Sequence, residues 1–117
     1  MVTFYQLPEF EKELKKLSRK YPTLNNDIED VKLVILASPN RTGIGKNFTI
    51  INSTDDVKIV KVRIHCESLR SRSIRLIYAY HKNKIELVYI EVYFKGEKEN
   101  EDRERIEQYL ENVTIDE

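Results

Sequence analysis

Residues 58–98 read KIVKVRIHCESLRSRSIRLIYAYHKNKIELVYIEVYFKGEK, and their alternation decides the fold. The stretches 58–66, 73–81 and 84–95 repeat with a period of two, which is the period of a strand. A basic loop around Arg70 and Arg72 and a tight turn at Lys82 and Asn83 join them, so they predict an antiparallel meander. By parity Lys61, Arg63, Arg75, Tyr93 and Lys95 share one face. Val60, Val62, Ile64, Ile74, Leu76, Tyr78, Val88, Ile90, Val92 and Phe94 share the other. The expectation is a sheet with one buried face and one basic face.

Working outward, residues 2–6 read as a short strand, and Pro8 follows where a helix accepts proline, in its first turn. Leu7, Phe10, Leu14, Leu17 and Tyr21 recur at spacings of three and four, the signature of an amphipathic helix. Glu9 and Glu11 open it and Lys15, Lys16, Arg19 and Lys20 close it, in accord with the helix dipole. Pro22 interrupts the pattern, and Leu24, Ile28, Val31 and Ile35 predict a second helix ending before Pro39, so the two should form a helical hairpin. Residues 39–47 read as a loop with Gly43 and Gly45, and a strand is expected around 48–52. Beyond Gly96, Asn100 or Asp102 can cap a last helix whose Ile106, Tyr109, Leu110 and Val113 form an apolar stripe. The fold class expected is α+β: an N-terminal strand and two-helix hairpin on a twisted antiparallel sheet, with a C-terminal helix.

A chain of 117 residues with 40% hydrophobic content supports one domain, here taken as 1–117, with one compact core. Its single cysteine, Cys66, has no internal disulfide partner. With no signal-like or membrane-spanning stretch, the default compartment is a reducing cytoplasm, and no membrane partner is expected. The N-x-[S/T] matches at Asn40, Asn47, Asn52 and Asn112 therefore carry little weight. Net charge is zero, but residues 41–84 hold ten Lys or Arg against three acids, and residues 85–117 hold four against eleven. The middle of the chain suits an anionic partner that the average hides.

Most wet sheet faces mix charges so that opposite signs pair across strands. This one is cationic, with Glu91 the main exception and Glu67 at a strand end, which points to an anionic ligand. His65 shares its parity and is either a general acid–base or a surface histidine. His81, at a turn, is expected to be exposed. Cys66, Tyr78 and Tyr80 have core parity, and Tyr93, among the cations, suits contact with a phosphate or a base. The GIGKN stretch at 43–47 is not a phosphate-binding Walker loop, because Asn40 and Asn47 replace its first glycine and its Ser or Thr. Two separated histidines and one cysteine make no zinc set. The acids Glu97, Glu99, Glu101 and Asp102 are read as a solvated helix start rather than a cation site. No cofactor or metal is expected.

The FEKELKKL helix, the second helix, the K-V-R strand, SIRLIYAY and YFKGEKENEDRERI, in this order, resemble the RelE/ParE toxin superfamily, most nearly its HigB-like and RelE-like members. The resemblance covers nearly the whole chain. It implies a cytoplasmic toxin of a toxin–antitoxin pair: a metal-independent endoribonuclease that cuts mRNA in the ribosomal A site and is neutralised by a cognate antitoxin. It implies Lys61, Arg63, Arg75 and Lys95 as catalytic residues. His65, Arg70, Arg72, Tyr93 and Lys98 would assist in holding RNA. In such chemistry the RNA 2′-hydroxyl attacks the adjacent phosphate, so the protein orients it, stabilises the anionic phosphorane and protonates the leaving oxygen. Arginine forks suit the clamp, and a lysine base requires crowded positive neighbours. The superfamily also contains gyrase inhibitors without the ribonuclease residues, so gyrase inhibition, or antitoxin binding without catalysis, stays open.

Overall fold

A computed structural model describes residues 2–37 and 46–116, and the elements run β1 (Thr3–Gln6), α1 (Pro8–Lys20), α2 (Leu24–Ala37), β2 (Phe48–Ser53), β3 (Val57–Cys66), β4 (Ser71–His81), β5 (Glu86–Phe94) and α3 (Arg103–Asp116). Most of the expected loop at 39–47, with Gly43 and Gly45, lies outside the described residues. The class is α+β, and the described residues form three helices on a five-stranded sheet of order β1-β5-β4-β3-β2. The meander β2 to β5 is antiparallel, but β1 runs parallel to β5, with Phe4 opposite Leu87 and Tyr5 opposite Val88. The sheet is therefore mixed, not wholly antiparallel as expected. The long connection through α1, α2 and three strands lets a parallel partner return to the edge.

Pro8 stands in the first turn of α1 and needs no amide donor there, while Glu9, Glu11, Arg19 and Lys20 complement the helix dipole. Phe10 and Leu17 from α1, and Leu24, Ile28 and Ile35 from α2, are buried on the even-numbered face of β3 and β4. Tyr89 lies in that core, its ring 5.5 Å from Phe4 and 5.2 Å from Phe10. The start of α2 is tied to the β3–β4 turn by reciprocal bonds. Thr23 N donates to Ser68 Oγ at 2.9 Å, and Ser68 N donates to Thr23 Oγ1 at 2.9 Å. Cys66, fully buried, belongs to this core as its parity requires.

The opposite face carries a second core. Val57, Ile59, Ile77, Ala79, Val88 and Ile90 are buried there under α3, whose Ile106 seals them. Parity alone puts Val88 and Ile90 on the first face, and the structure corrects this. The β4–β5 register shifts between Ile77 and Tyr78, so one extra residue in β5 turns Val88 and Ile90 over while Tyr89 takes the helical side. Burial of the Ile106 side chain is worth about 1.5–3 kcal/mol. His81 is likewise buried, 2% exposed, and its Nε2 is hydrogen-bonded to the Tyr109 hydroxyl. The turn expected to expose it is covered by α3.

Candidate functional site

The odd-numbered face is built in successive rows across the sheet. Arg63, Arg75 and Tyr93 are directly paired in one row, and Lys61, Ile77 and Glu91 in the next. Ile59 and Ala79 follow, under α3. The same alternation thus gives a polar end and an apolar end, and α3 covers only the apolar end.

In the first row Arg75 is 5% exposed, and its Nη1 donates to the carbonyls of Arg72 and, at 3.4 Å, Ile74. Arg63 stands across the strand pair and faces solvent. Neither arginine has an ion-pair partner among the described residues. Burial, and then the charge of Arg63, hold the Arg75 guanidinium below its ordinary pKa, while Tyr93 opposes them. Tyr93 is 5% exposed; burial, with Glu101 and Glu91 behind it, pushes its phenol up to about 12. It remains a protonated donor at neutral pH. That burial removes it as a stacking platform open to solvent.

Arg70, Arg72 and Lys95 surround this end of the sheet, all exposed and all without an ion-pair partner among the described residues. Lys95 N donates to Ser73 O at 2.9 Å, which fixes the end of β5 beside the start of β4. Arg70 takes a left-handed backbone with φ of 52°, a conformation in which a long side chain is uncommon. His65 also faces solvent on this side, its Nε2 3.2 Å from Glu67 Oε2.

The second row departs from the expected basic face. Lys61 Nζ donates to Glu101 Oε1 at 2.9 Å, and Lys98 Nζ donates to the fully buried Glu91. Glu91 also accepts the Asp102 amide at 2.8 Å. Burial raises the Glu101 pKa, but the bond from Lys61, a backbone amide and the charges of Lys61 and Arg103 outweigh it and leave the carboxyl below its ordinary value. The acids after Gly96 are therefore not all solvated: Glu101 is a lid on Lys61. Crowded cations do not surround Lys61, because a carboxylate does. A second clamp holds the helix start, where Arg105 bonds Glu13 through Nη1 at 2.9 Å and Nη2 at 3.0 Å and reaches Ile90 O at 2.9 Å. Asp102 Oδ1 accepts the Arg105 amide at 3.0 Å, the expected N-cap.

Of the residues singled out in the sequence, the structure brings Arg63, Arg75 and Tyr93 into contact range, with Arg70, Arg72, Lys95 and His65 around them. It diverts Lys61 and Lys98 into ion pairs. Sequence reasoning missed the roles of Glu101 and Glu91, and the available signal was Glu91, an acid in the middle of β5 with apolar residues on both sides. Such an acid on a buried face requires internal partners. Among the described residues no three His, Cys, Asp or Glu side chains gather to hold a metal ion, and no helix is long and apolar enough to cross a membrane. No family model, curated protein or solved structure matches this chain.

Proposed function

We propose that this chain is a toxin of the RelE/ParE superfamily, a HigB-like or RelE-like endoribonuclease that cuts mRNA in the ribosomal A site and is neutralised by a cognate antitoxin. One observation carries the proposal. A buried, carboxylate-free Arg75 stands opposite Arg63 and beside the protonated Tyr93. Like charges on facing strands cost stability, and a phosphate placed between them converts that cost into binding. The order of elements, with a strand and two helices before the meander and a helix after it, agrees with the resemblance.

In this mechanism the forks of Arg63 and Arg75 grip the scissile phosphate and stabilise the additional negative charge of the phosphorane. Tyr93 donates a further hydrogen bond. His65 takes the proton of the attacking 2′-hydroxyl, Lys95 protonates the leaving 5′-oxygen, and Lys61 joins the site when Glu101 releases it. The need for an attacking 2′-hydroxyl restricts cutting to RNA. Removing one such donor lowers turnover by about 10²–10³-fold. Arg63→Ala and Lys95→Ala, both at exposed positions, should therefore abolish growth arrest on expression without lowering the thermal melt, and Arg63→Ala should raise it by relieving the repulsion with Arg75. Full toxicity in both variants would sink the assignment.

A second reading draws on the neutralised row. With Lys61 held by Glu101 and Lys98 by Glu91, the surface also suits a protein that binds without cutting, either a gyrase inhibitor or a partner for an antitoxin alone. Gyrase inhibition requires DNA damage on expression with intact mRNA; antitoxin binding alone requires harmless expression.

A further inference from the structure

We infer that the cavity between β2 and the start of α3 is a nucleobase subsite; this rests on the single-stranded RNA reading above and adds a second point of contact to it. The cavity measures about 420 Å³, within the range of roughly 300–1,000 Å³ usual for small-ligand sites. Ile51 and Ile106 supply apolar wall, and Asn52, Asn100 and Arg103 line it beside Lys61, Glu101 and Glu107. A base asks for this combination. Apolar or guanidinium surface packs against its face, and carboxamides, which both donate and accept, match its edge.

Charge separates this cavity from the arginine row. Lys61 and Arg103 are balanced there by Glu101 and Glu107, so the cavity offers a phosphate no net attraction, whereas Arg63 and Arg75 have no such counterweight. Position links the two. Lys61 forms part of the wall and lies two residues from Arg63 on β3, a step of about 7 Å along a strand. Both side chains project from the same face. A strand of RNA with one phosphate on Arg63 and Arg75 thus has a neighbouring base within reach of the cavity, with the Lys61–Glu101 pair as the partition between them.

The test is a backbone-amide NMR titration with 2′-O-methylated RNA trinucleotides of each base, which cannot be cut because the attacking hydroxyl is blocked. Inorganic phosphate is titrated in parallel. The expected result is that trinucleotides shift the amides of Ile51, Asn52, Asn100 and Arg103 together with those of Arg63 and Arg75, while phosphate shifts only the arginine row. Asn52→Ala or Asn100→Ala, at exposed positions, should weaken trinucleotide binding about two- to tenfold, the worth of one hydrogen bond, and leave the phosphate response intact. Trinucleotide shifts confined to the arginine row, or undiminished affinity in both variants, would overturn the subsite and leave the phosphate site standing. Shifts in the cavity without the arginine row would uphold the subsite and overturn the cleavage reading. No shift at either place would overturn both.

Discussion

Replacing Arg75 with methionine should stabilise the free protein and remove its response to RNA, a pairing that only a ligand-poised charge explains. Arg75 is 5% exposed, and its guanidinium holds its proton less well than an ordinary arginine, first because of burial and then because of Arg63. A folded-state pKa below the unfolded value means that the charge opposes folding at every pH where arginine is charged. At an effective dielectric of about 20, two like charges roughly 6 Å apart repel by about 3 kcal/mol, which solvent around the exposed Arg63 reduces to about 1–2 kcal/mol. Desolvation adds to that figure. Against it stand the bonds to the carbonyls of Arg72, which is exposed and can be rehydrated, and of Ile74, which is long at 3.4 Å. Methionine fills the same space without charge, so a net gain of about 1–2 kcal/mol is expected. For a chain of this size that raises Tm by roughly 4–8 °C. The assay is urea denaturation followed by circular dichroism and tyrosine emission, since the chain has no tryptophan. It is repeated with an uncleavable 2′-O-methylated oligonucleotide. Wild type should gain about 2.7 kcal/mol at a hundredfold excess over Kd, and the variant almost nothing. A variant destabilised by more than about 1 kcal/mol, or stabilised by the oligonucleotide as wild type is, would refute the reasoning.

Ile106→Ala should cost about 2–5 kcal/mol by opening a cavity over Ile59, Ile77 and Ile90, and hydrogen exchange should show α3 losing protection before the sheet. Glu101→Gln should cost about 1–3 kcal/mol at pH 7. Its native carboxyl lies below the ordinary 4.5, so the stability it contributes is present above that value and is lost as pH falls through the lower, folded pKa. Denaturation curves of variant and wild type should accordingly converge near the acid end, and a constant gap down to the lowest pH tested would contradict the ion pair. Cys66, fully buried, should react with a thiol reagent only at the rate of unfolding, as measured by the denaturant dependence of labelling.

Local periodicity carried most of the fold. The α1 stripe and the alternation of β3 and β4 were legible because each residue's neighbours in sequence determine its face. The parallel pairing of β1 was not, because four residues carry no mark of strand direction. Parity alone places Val88 and Ile90 on the wrong face, because a bulge shifts the register without changing composition. The second core did leave a trace. Ile59, Ile77 and Ala79 are apolar at the parity assigned to the basic face, and near-continuous apolar runs such as IRLIYAY mark strands buried on both sides. Of the candidate site, the arginine row was readable as cations without cross-strand acids. The capture of Lys61 by Glu101, forty residues away, depends on where α3 docks, and His81 is buried for the same reason.

Primer extension on a defined mRNA, with and without translating ribosomes, tests the central claim most directly. Purified wild-type protein should cut at fixed codon positions only when ribosomes are present, and Arg63→Ala should leave the same message intact. An uncut message with folded wild-type protein and active ribosomes, or equal cutting by Arg63→Ala, would contradict the claim.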